Sequence, residues 1–218
     1  MNGPVITTEM AKTLLETDFL NVYDLQYGEG KHYYAATRHP KEELAAVLSQ
    51  DQYSSMIPDG VTLCVILNTE PEERLLLFYE YRYPTGHFLL SPPAGLIDKS
   101  DKEDKDPVFK AAVRELFEET GITFTEKDTY RLISPGVYSS PGITDETSAV
   151  VLFVINDPDL SVITDRNTEG TEVFDGYCFL SREEAMRYIR DGRDEHGSMY
   201  SVQTWQALLY FASGMWKE

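Results

Sequence analysis

Residues 114–122 read RELFEETGI, and this stretch determines how the rest of the chain is interpreted. Asp106 and Pro107 suit the N-cap and the first position of a helix, and Gly121 suits its end. Apolar residues recur upstream at helical spacing, at Phe109, Ala112, Val113 and Leu116. The pattern therefore predicts an amphipathic helix that begins near residue 107 and ends near residue 120.

Three glutamates share one side of this predicted helix. At about 100° per residue, Glu115, Glu118 and Glu119 fall within an arc of roughly 100°. Arg114 lies just outside the arc, one turn from Glu118. Carboxylates this close together repel one another unless a cation lies among them, and Mg²⁺ or Mn²⁺ prefers such hard oxygen ligands. The alternative is an acidic helix face that is exposed to solvent.

The stretch resembles the second half of the Nudix box, R-E-U-x-E-E-x-G-U with U aliphatic, at every fixed position. That box begins with a glycine, then has five residues, a glutamate, and seven further residues before the arginine. Gly95 resembles the glycine, but it lies about five residues too far from Arg114. The extra residues fall in the charged loop 99–105, and Asp106 is interpreted as the replacement for the box glutamate.

Composition restricts the class of protein. The chain has 218 residues, 42% of them hydrophobic and 26% charged, which is ordinary for a soluble domain. The formal net charge of −18 argues against nonspecific binding to nucleic acid or to an anionic membrane. The sequence shows no secretory signal and no apolar run of membrane-spanning length, so we expect a cytoplasmic protein. Cys64 and Cys178 lie in apolar runs and are predicted to be free thiols rather than a disulfide.

Strands and helices interleave irregularly, which predicts an α/β (α+β) fold with a mixed sheet covered by helices on both faces. Near the N-terminus we expect either a weak helix or an arm at residues 5–18, followed by a hairpin at 19–37. A short helix is expected at 41–48 and a loop at 51–59. We then expect strands at 61–67, 74–83, 88–90, 130–133, 137–138, 148–155 and 172–180. Two further helices are predicted at 181–190 and 201–214.

The Nudix resemblance covers roughly residues 60 to 215 and implies an α/β/α sandwich. We therefore predict a Nudix hydrolase domain at 59–218, preceded by a small N-terminal β extension and linker at 1–58. A hairpin of this size is not stable alone and must pack on the main domain or on a partner chain. It resembles the N-terminal β region that ADP-ribose pyrophosphatases exchange between subunits, so the resemblance implies a homodimer.

Further segments favour the ADP-ribose pyrophosphatase branch. Arg82 in YRYP resembles the arginine at a strand end of that branch, and PPAGLID at 92–98 resembles its box entrance, although Ser91 replaces a common glutamate. Ser140-Pro141-Gly142 followed by Glu146 resembles the substrate loop, although Pro141 lies about four residues late. Taken singly, a surface arginine or a common Ser-Pro-Gly turn would explain these segments equally well.

The resemblance implies residue roles. Glu115, Glu118, Glu119 and the backbone carbonyl of Ala94 would bind Mg²⁺, or alternatively Mn²⁺, while Arg114 orients the glutamates. Glu169 is the predicted catalytic base, with Glu172 as the alternative. The predicted substrate-binding residues are Arg82, Gly95, Pro141, Gly142 and Glu146, and either Tyr23 or Tyr33 is a candidate to stack on adenine.

The activity implied is hydrolysis of a nucleoside diphosphate linked to another moiety, with ADP-ribose split into AMP and ribose 5-phosphate. Within enzymes, the alternative is a pyrophosphatase for another nucleotide sugar, such as UDP-glucose or GDP-mannose. Outside enzymes, the alternative is a noncatalytic ADP-ribose sensor. Loss of the metal-binding glutamates would favour the sensor, and all three are present.

Overall fold

The protein, in a computed structural model, is described over residues 3–163 and 173–218. Within these ranges lie four α-helices: α1 (Gln50–Ser54), α2 (Pro107–Thr120), α3 (Arg182–Asp191) and α4 (Val202–Ser213). Ten strands accompany them: β1 (Ala11–Glu16), β2 (Asn21–Gly28), β3 (Lys31–Thr37), β4 (Gly60–Asn68), β5 (Arg74–Arg82), β6 (His87–Ser91), β7 (Ala94–Leu96), β8 (Thr129–Tyr138), β9 (Thr147–Asn156) and β10 (Phe174–Leu180).

The larger sheet has seven strands. Its hydrogen-bonded order is β10-β5-β4-β9-β8, with β6 beside β5 and β7 beside β4. Strand β5 is antiparallel to β4, β6 and β10, and β7 is antiparallel to β4. The short strand β7 carries Ala94 and Gly95, so pairing with the buried β4 fixes the backbone of the predicted box entrance.

The sandwich follows from side-chain alternation along β4, because successive residues of a strand point to opposite faces. One face contributes Val61, Leu63, Val65 and Leu67 to a core that includes Ala112 and Leu116 of α2. The other face contributes Cys64 and Ile66 to a core that includes Ala185 of α3 and Leu208 and Phe211 of α4. Helices therefore cover both faces, and the predicted α/β/α sandwich is confirmed.

Two compact units make up the chain, and each is described by itself. The N-terminal unit contains the residues up to Asp59 together with Gly136–Ser148, and the sandwich unit contains Gly60–Pro135 together with Ala149–Glu218. The N-terminal unit holds a separate three-stranded sheet in the order β1-β2-β3, with its own small core around Ala11, Tyr23, Leu25 and Leu44. The division into an N-terminal extension at 1–58 and a hydrolase domain at 59–218 stays a prediction.

Several element predictions in the N-terminal unit were wrong. The weak helix expected within 5–18 is a 3-10 turn (Thr8–Met10) followed by β1, because pairing with β2 overrides a weak helical spacing. The helix expected at 41–48 is two 3-10 turns separated by Leu44, which is extended and buries its side chain. The loop expected at 51–59 begins with α1, which a capping box of Ser49 and Gln52 initiates.

In the rest of the chain the differences are small. The two short strands expected around Pro135 are the single strand β8, which ends the strand order of the sheet, where proline is tolerated. Cys64 and Cys178 are free as predicted, and burial raises the pKa of the Cys64 thiol to about 12. In the described part of the chain, no helix is long and apolar enough to cross a membrane.

Candidate active site

Helix α2 begins and ends as the sequence predicted. The Asp106 carboxylate accepts a hydrogen bond from the Phe109 N–H at 3.0 Å, and Pro107 occupies the first helical position. Gly121 ends the helix with φ of 78°, a left-handed conformation that favours glycine, and its N–H donates to the Phe117 carbonyl. At that end, the Tyr177 hydroxyl of β10 donates to the Glu119 carbonyl at 2.5 Å. Both ends of the acidic helix are therefore fixed.

The three glutamates of α2 divide by burial. Glu115 and Glu119 are only 8% and 9% exposed, whereas the Glu118 side chain is 54% exposed. Glu115 and Glu119 lie one helical turn apart and both reach strand β7. The solvated-face alternative therefore fails for Glu115 and Glu119, although it describes much of the Glu118 side chain.

Strand β7 fits closely around these two carboxylates. The Ala94 N–H donates to Glu119 Oε2 at 2.8 Å. A Cβ on Gly95 would lie 1.9 Å from Glu115 Oε1, so only glycine leaves room for that carboxylate. A Cβ on Gly60, which pairs with the same segment from β4, would lie 2.6 Å from the Gly95 carbonyl oxygen. The sequence Ala94-Gly95 therefore forms a cradle for carboxylates, which explains the glycine by a close approach rather than by a turn.

Arg114 is the centre of the cluster. Its Nη1 donates to Glu115 Oε1 at 2.8 Å and to Glu118 Oε2 at 2.9 Å. Its Nη2 donates to the Leu96 carbonyl at 2.8 Å and to Asp101 Oδ2 at 2.9 Å. Burial alone would lower the pKa of this guanidinium, but the hydrogen bond to Asp101 and the charges of the glutamates raise it. These contacts join Arg114 to Glu115 and Glu118, and its orienting role stays a prediction.

Asp101 is the acidic residue that sequence reasoning missed. It is 1% exposed, and its Oδ2 accepts hydrogen bonds from the Asp98 N–H and from Arg114. Burial alone would raise the pKa of the Asp101 carboxyl, but these hydrogen bonds hold it below its usual value. The interpretation of Asp106 as the replacement for the box glutamate is corrected, because Asp106 caps α2 and Asp101 pairs with Arg114.

A sequence signal for Asp101 did exist. Five residues separate Gly95 from Asp101, which is the spacing of the glycine and the glutamate in the Nudix box. The inserted residues therefore follow Asp101 and precede α2, where the chain turns through Asp104 and Lys110 anchors the loop by donating to the Ser100 carbonyl. Counting forward from the glycine, rather than backward from Arg114, identifies the correct residue.

The donor chemistry at α2 and β7 fits a hard divalent cation. Glu115 and Glu119 supply carboxylate oxygens beside the Ala94-Gly95 backbone, and no soft sulfur ligand lies among these residues. Carboxylates outnumber the single guanidinium, since Asp98, Asp101, Glu115 and Glu118 all lie within 3.6 Å of Arg114. Within residues 3–163 and 173–218, however, no three Asp, Glu, His or Cys side chains are already grouped as metal ligands. The fit of a cation therefore rests on the carboxylate chemistry of the donors and not on a preformed group of ligands.

The other predicted site residues have contacts of their own. Arg82 ends β5, is half exposed, and forms an ion pair with Glu80 at 2.5 Å. In the N-terminal unit, Gly142 accepts a hydrogen bond from the Tyr33 hydroxyl, and Glu146 forms an ion pair with Arg38. Pro141 lies in the same turn, immediately before Gly142. The predicted bases, Glu169 and its alternative Glu172, lie outside the described residues.

The two tyrosines proposed for adenine stacking behave differently. Tyr23 is 2% exposed in the core of the N-terminal unit, so its ring has no free face for a base. Tyr33 is 45% exposed on β3. The Tyr23 prediction was therefore wrong because the alternation of β2 directs that ring inward, whereas Tyr33 stays a candidate.

Comparisons with known proteins agree with this geometry. A family model described as NUDIX domain matches residues 57–202. The ADP-sugar pyrophosphatase of Mus musculus is 33% identical over 140 residues, which cover 63% of this chain and 60% of that protein. Nudix hydrolase 14, chloroplastic, of Arabidopsis thaliana is 33% identical over 101 residues, covering 43% of this chain and 31% of that protein. The chain thus spans between about a third and three fifths of the length of these relatives.

A solved structure extends the likeness of fold. The crystal structure titled ADP compounds hydrolase aligns with a TM-score of 0.55 at 17% sequence identity, covering 94% of this chain and 90% of that one. At that identity the likeness concerns the fold alone. Since the family match covers more than half of the chain and includes both β7 and α2, this protein belongs to the NUDIX domain family.

Proposed function

We propose that this Nudix hydrolase splits ADP-ribose into AMP and ribose 5-phosphate. The observation that carries the proposal is the cradle at β7, where Glu115 and Glu119 are buried against Ala94 and Gly95. A cation bound among these carboxylates would offset their mutual repulsion and would in turn bind phosphate oxygens. The ADP-sugar pyrophosphatase relative supports an ADP-sugar as the substrate class.

Mg²⁺, with Mn²⁺ as the alternative, would be held by Glu115, Glu119 and the Ala94 carbonyl, with Glu118 as a further ligand. When bound, the cation supplies charge neutralisation on the diphosphate and lowers the pKa of a coordinated water. Arg114 keeps Glu115 and Glu118 oriented and reduces their repulsion. Arg82, at the end of β5, is proposed to donate hydrogen bonds to a phosphate oxygen, which a guanidinium does well.

The catalytic base is proposed to be Glu169, which would accept a proton from the attacking water. Replacement of Glu169 with Gln should lower kcat by about 10²- to 10⁴-fold with little change in substrate binding, since a general base acts in the transition state. The matched control is Glu172→Gln, which should retain activity. If the larger loss instead follows Glu172→Gln, Glu172 is the base.

The test of the proposed function is turnover with Mg²⁺ across ADP-ribose, UDP-glucose, GDP-mannose, NAD and diadenosine polyphosphates. We expect the highest kcat/KM for ADP-ribose, with AMP and ribose 5-phosphate as products. Faster turnover of UDP-glucose or GDP-mannose would keep the hydrolase chemistry and overturn the specificity. Binding of ADP-ribose without turnover of any substrate would identify a noncatalytic sensor.

A homodimer is part of the proposal. The N-terminal unit exposes apolar side chains that a second copy would cover, among them Leu14, Phe19 and Tyr34, which are 57%, 80% and 60% exposed. Light scattering at micromolar concentration should give twice the monomer mass, and a monomer mass would reject the dimer. The cytoplasmic location stays a prediction.

A further inference from the structure

Residues 33–45 hold the loop formed by residues 139–147, although roughly 100 positions of sequence separate the two segments. The main chains pair first. The Ala36 N–H donates to the Ile143 carbonyl at 2.8 Å, and Ala36 forms a parallel bridge with Thr144. Because backbone hydrogen bonds fix the path of both partners, the loop follows the end of β3.

Three further contacts hold the loop along its length. The Tyr33 hydroxyl donates to the Gly142 carbonyl at 2.7 Å near the loop tip. Arg38 Nε donates to Glu146 Oε2 at 2.7 Å, and the pair is only partly exposed. The Ala45 N–H donates to Asp145 Oδ2 at 3.0 Å. The tip and the returning arm of the loop are therefore both bound to residues 33–45.

The loop also has a closure of its own at the base. The Ser139 N–H donates to the Glu146 carbonyl at 3.0 Å, and the Ser139 hydroxyl donates to Glu146 Oε1 at 3.2 Å. This closure joins the two ends of the loop but does not fix the tip at Pro141 and Gly142. Within the tip, the Ile143 and Thr144 N–H groups donate to the Ser140 carbonyl at 2.9 and 3.0 Å, which shapes the turn. Tyr33 and the Ala36 pairing attach this turn to β3.

We propose that residues 33–45 position the 140–146 loop for substrate binding, with Tyr33 and Arg38 as positioning residues. The inference rests on the proposed function and on the resemblance of Ser140-Pro141-Gly142 and Glu146 to a substrate loop, which stays a prediction. A loop that is already held in one conformation loses less conformational entropy when a ligand binds. The N-terminal extension then determines how tightly substrate binds, in addition to any role in a dimer.

Two pairs of variants test the inference. Arg38→Ala removes the Glu146 partner, and Lys41→Ala removes the same charge from a neighbouring exposed lysine. Tyr33→Phe removes only the hydroxyl that reaches Gly142, and Tyr34→Phe removes the hydroxyl of the adjacent, 60% exposed tyrosine. The readouts are hydrogen exchange of a peptide covering 139–147 without substrate, and KM and kcat for ADP-ribose with Mg²⁺.

We expect faster exchange of the loop in Tyr33→Phe and Arg38→Ala, with both controls unchanged. KM should rise about two- to fivefold in each variant and about tenfold in the double variant, because each lost contact is modest. The value of kcat should stay within about twofold, since the contacts affect substrate and transition state equally. The rise in KM should be smaller for Arg38→Lys than for Arg38→Ala, because the ammonium retains the charge but not the guanidinium geometry.

Two results would overturn the inference while the hydrolase stands. Unchanged exchange in both variants would mean that residues 33–45 do not hold the loop. Faster exchange with unchanged KM would mean that the held conformation has no role in binding. Failure of the proposed function has a different signature, since the wild-type protein itself would then fail to turn over ADP-ribose or would prefer another nucleotide sugar.

Discussion

The cluster around Arg114 and the loop held by residues 33–45 are organised in opposite ways. The Arg114 cluster draws most of its side chains from one helix, at fixed helical spacing. On the same helix, Glu115 is buried against Gly95 and Glu119 against the Ala94 N–H. The loop is held by partners about 100 positions away in sequence, through backbone pairing and partly exposed side chains. The first arrangement is tightly packed and intolerant of change, whereas the second is a sum of modest contacts.

This difference leads to different expectations for mutation. In the Arg114 cluster a single added methyl group displaces a carboxylate, and removal of one charge leaves another buried without its partner. In the loop no single contact dominates, so one substitution weakens the arrangement by a small factor. The predictions below test this contrast in order of expected size.

Between these two regions, the largest effect is expected at Gly95. An alanine Cβ there would lie 1.9 Å from Glu115 Oε1 and 2.0 Å from Glu115 Cδ, so the carboxylate must leave its position. Gly95→Ala should lower kcat/KM by about 10- to 100-fold and raise the Mg²⁺ concentration needed for activity. The matched control is Gly136→Ala on β8, where an added Cβ meets nothing within 4 Å. Equal activity of the two variants would show that the position of Glu115 against Gly95 is not needed for catalysis.

The next prediction compares the loss of stability in Asp101→Asn with that in Asp106→Asn. Asp101→Asn leaves the half-buried Arg114 guanidinium without its most deeply buried carboxylate partner, which should destabilise the protein by about 1–3 kcal/mol. Asp106→Asn should change the free energy of unfolding by less than about 0.5 kcal/mol, because asparagine caps a helix as well as aspartate.

Urea unfolding of the two variants checks this ranking, and its pH dependence sharpens it. The pKa of the Asp101 carboxyl is lowered in the folded protein, so its contribution to stability is present above the unfolded pKa and is lost as pH falls through the folded one. The difference between wild type and Asp101→Asn should therefore shrink in acid. A larger loss in Asp106→Asn would contradict the assignment of Asp101, rather than Asp106, to the position of the box glutamate.

A structural feature of this protein was predictable from the sequence when the residues that determine it lie close together in the chain. The ends of α2, its acidic arc and the two-faced strand β4 were predictable, because caps and periodicity act within a few residues. Asp101 was within reach through its spacing from Gly95. The contact of Arg38 with Glu146 was not, because it arises only when segments 108 positions apart meet. The strand β1 was missed for a different reason, since its pairing with β2 overrides the weak helical spacing of its residues.

The smallest predicted effect concerns a buried ion pair of the N-terminal unit. His39 Nε2 lies 2.8 Å from Asp59 Oδ1, and Asp59 Oδ2 accepts hydrogen bonds from the N–H and hydroxyl of Thr147, where the loop ends. The hydrogen bond to Asp59 raises the pKa of His39 against the opposing effect of burial. For Asp59, burial alone would raise the pKa, but the hydrogen bonds from His39 and Thr147 lower it.

The direction of the pH dependence follows from these two shifts. A raised His39 pKa means that its stabilisation is complete below the unfolded value of about 6.5 and fades as pH rises through the folded value. The lowered Asp59 pKa means that its contribution is lost only as pH falls through the folded value in acid. Wild type should therefore exceed His39→Gln in stability by roughly 1 kcal/mol near pH 5.5 and by less at pH 9.

A nuclear magnetic resonance titration of the His39 ring in wild type and in Asp59→Asn provides the direct check. Removal of the Asp59 charge should lower the titration midpoint, while Asp145 and Glu43 keep part of the upward shift. An unchanged midpoint would mean that the 2.8 Å contact does not persist in solution. In that case Thr147 would not be coupled to the titration of His39 and Asp59. The hydrogen exchange rate of residues 139–147 should then change with pH only as the intrinsic exchange rate does.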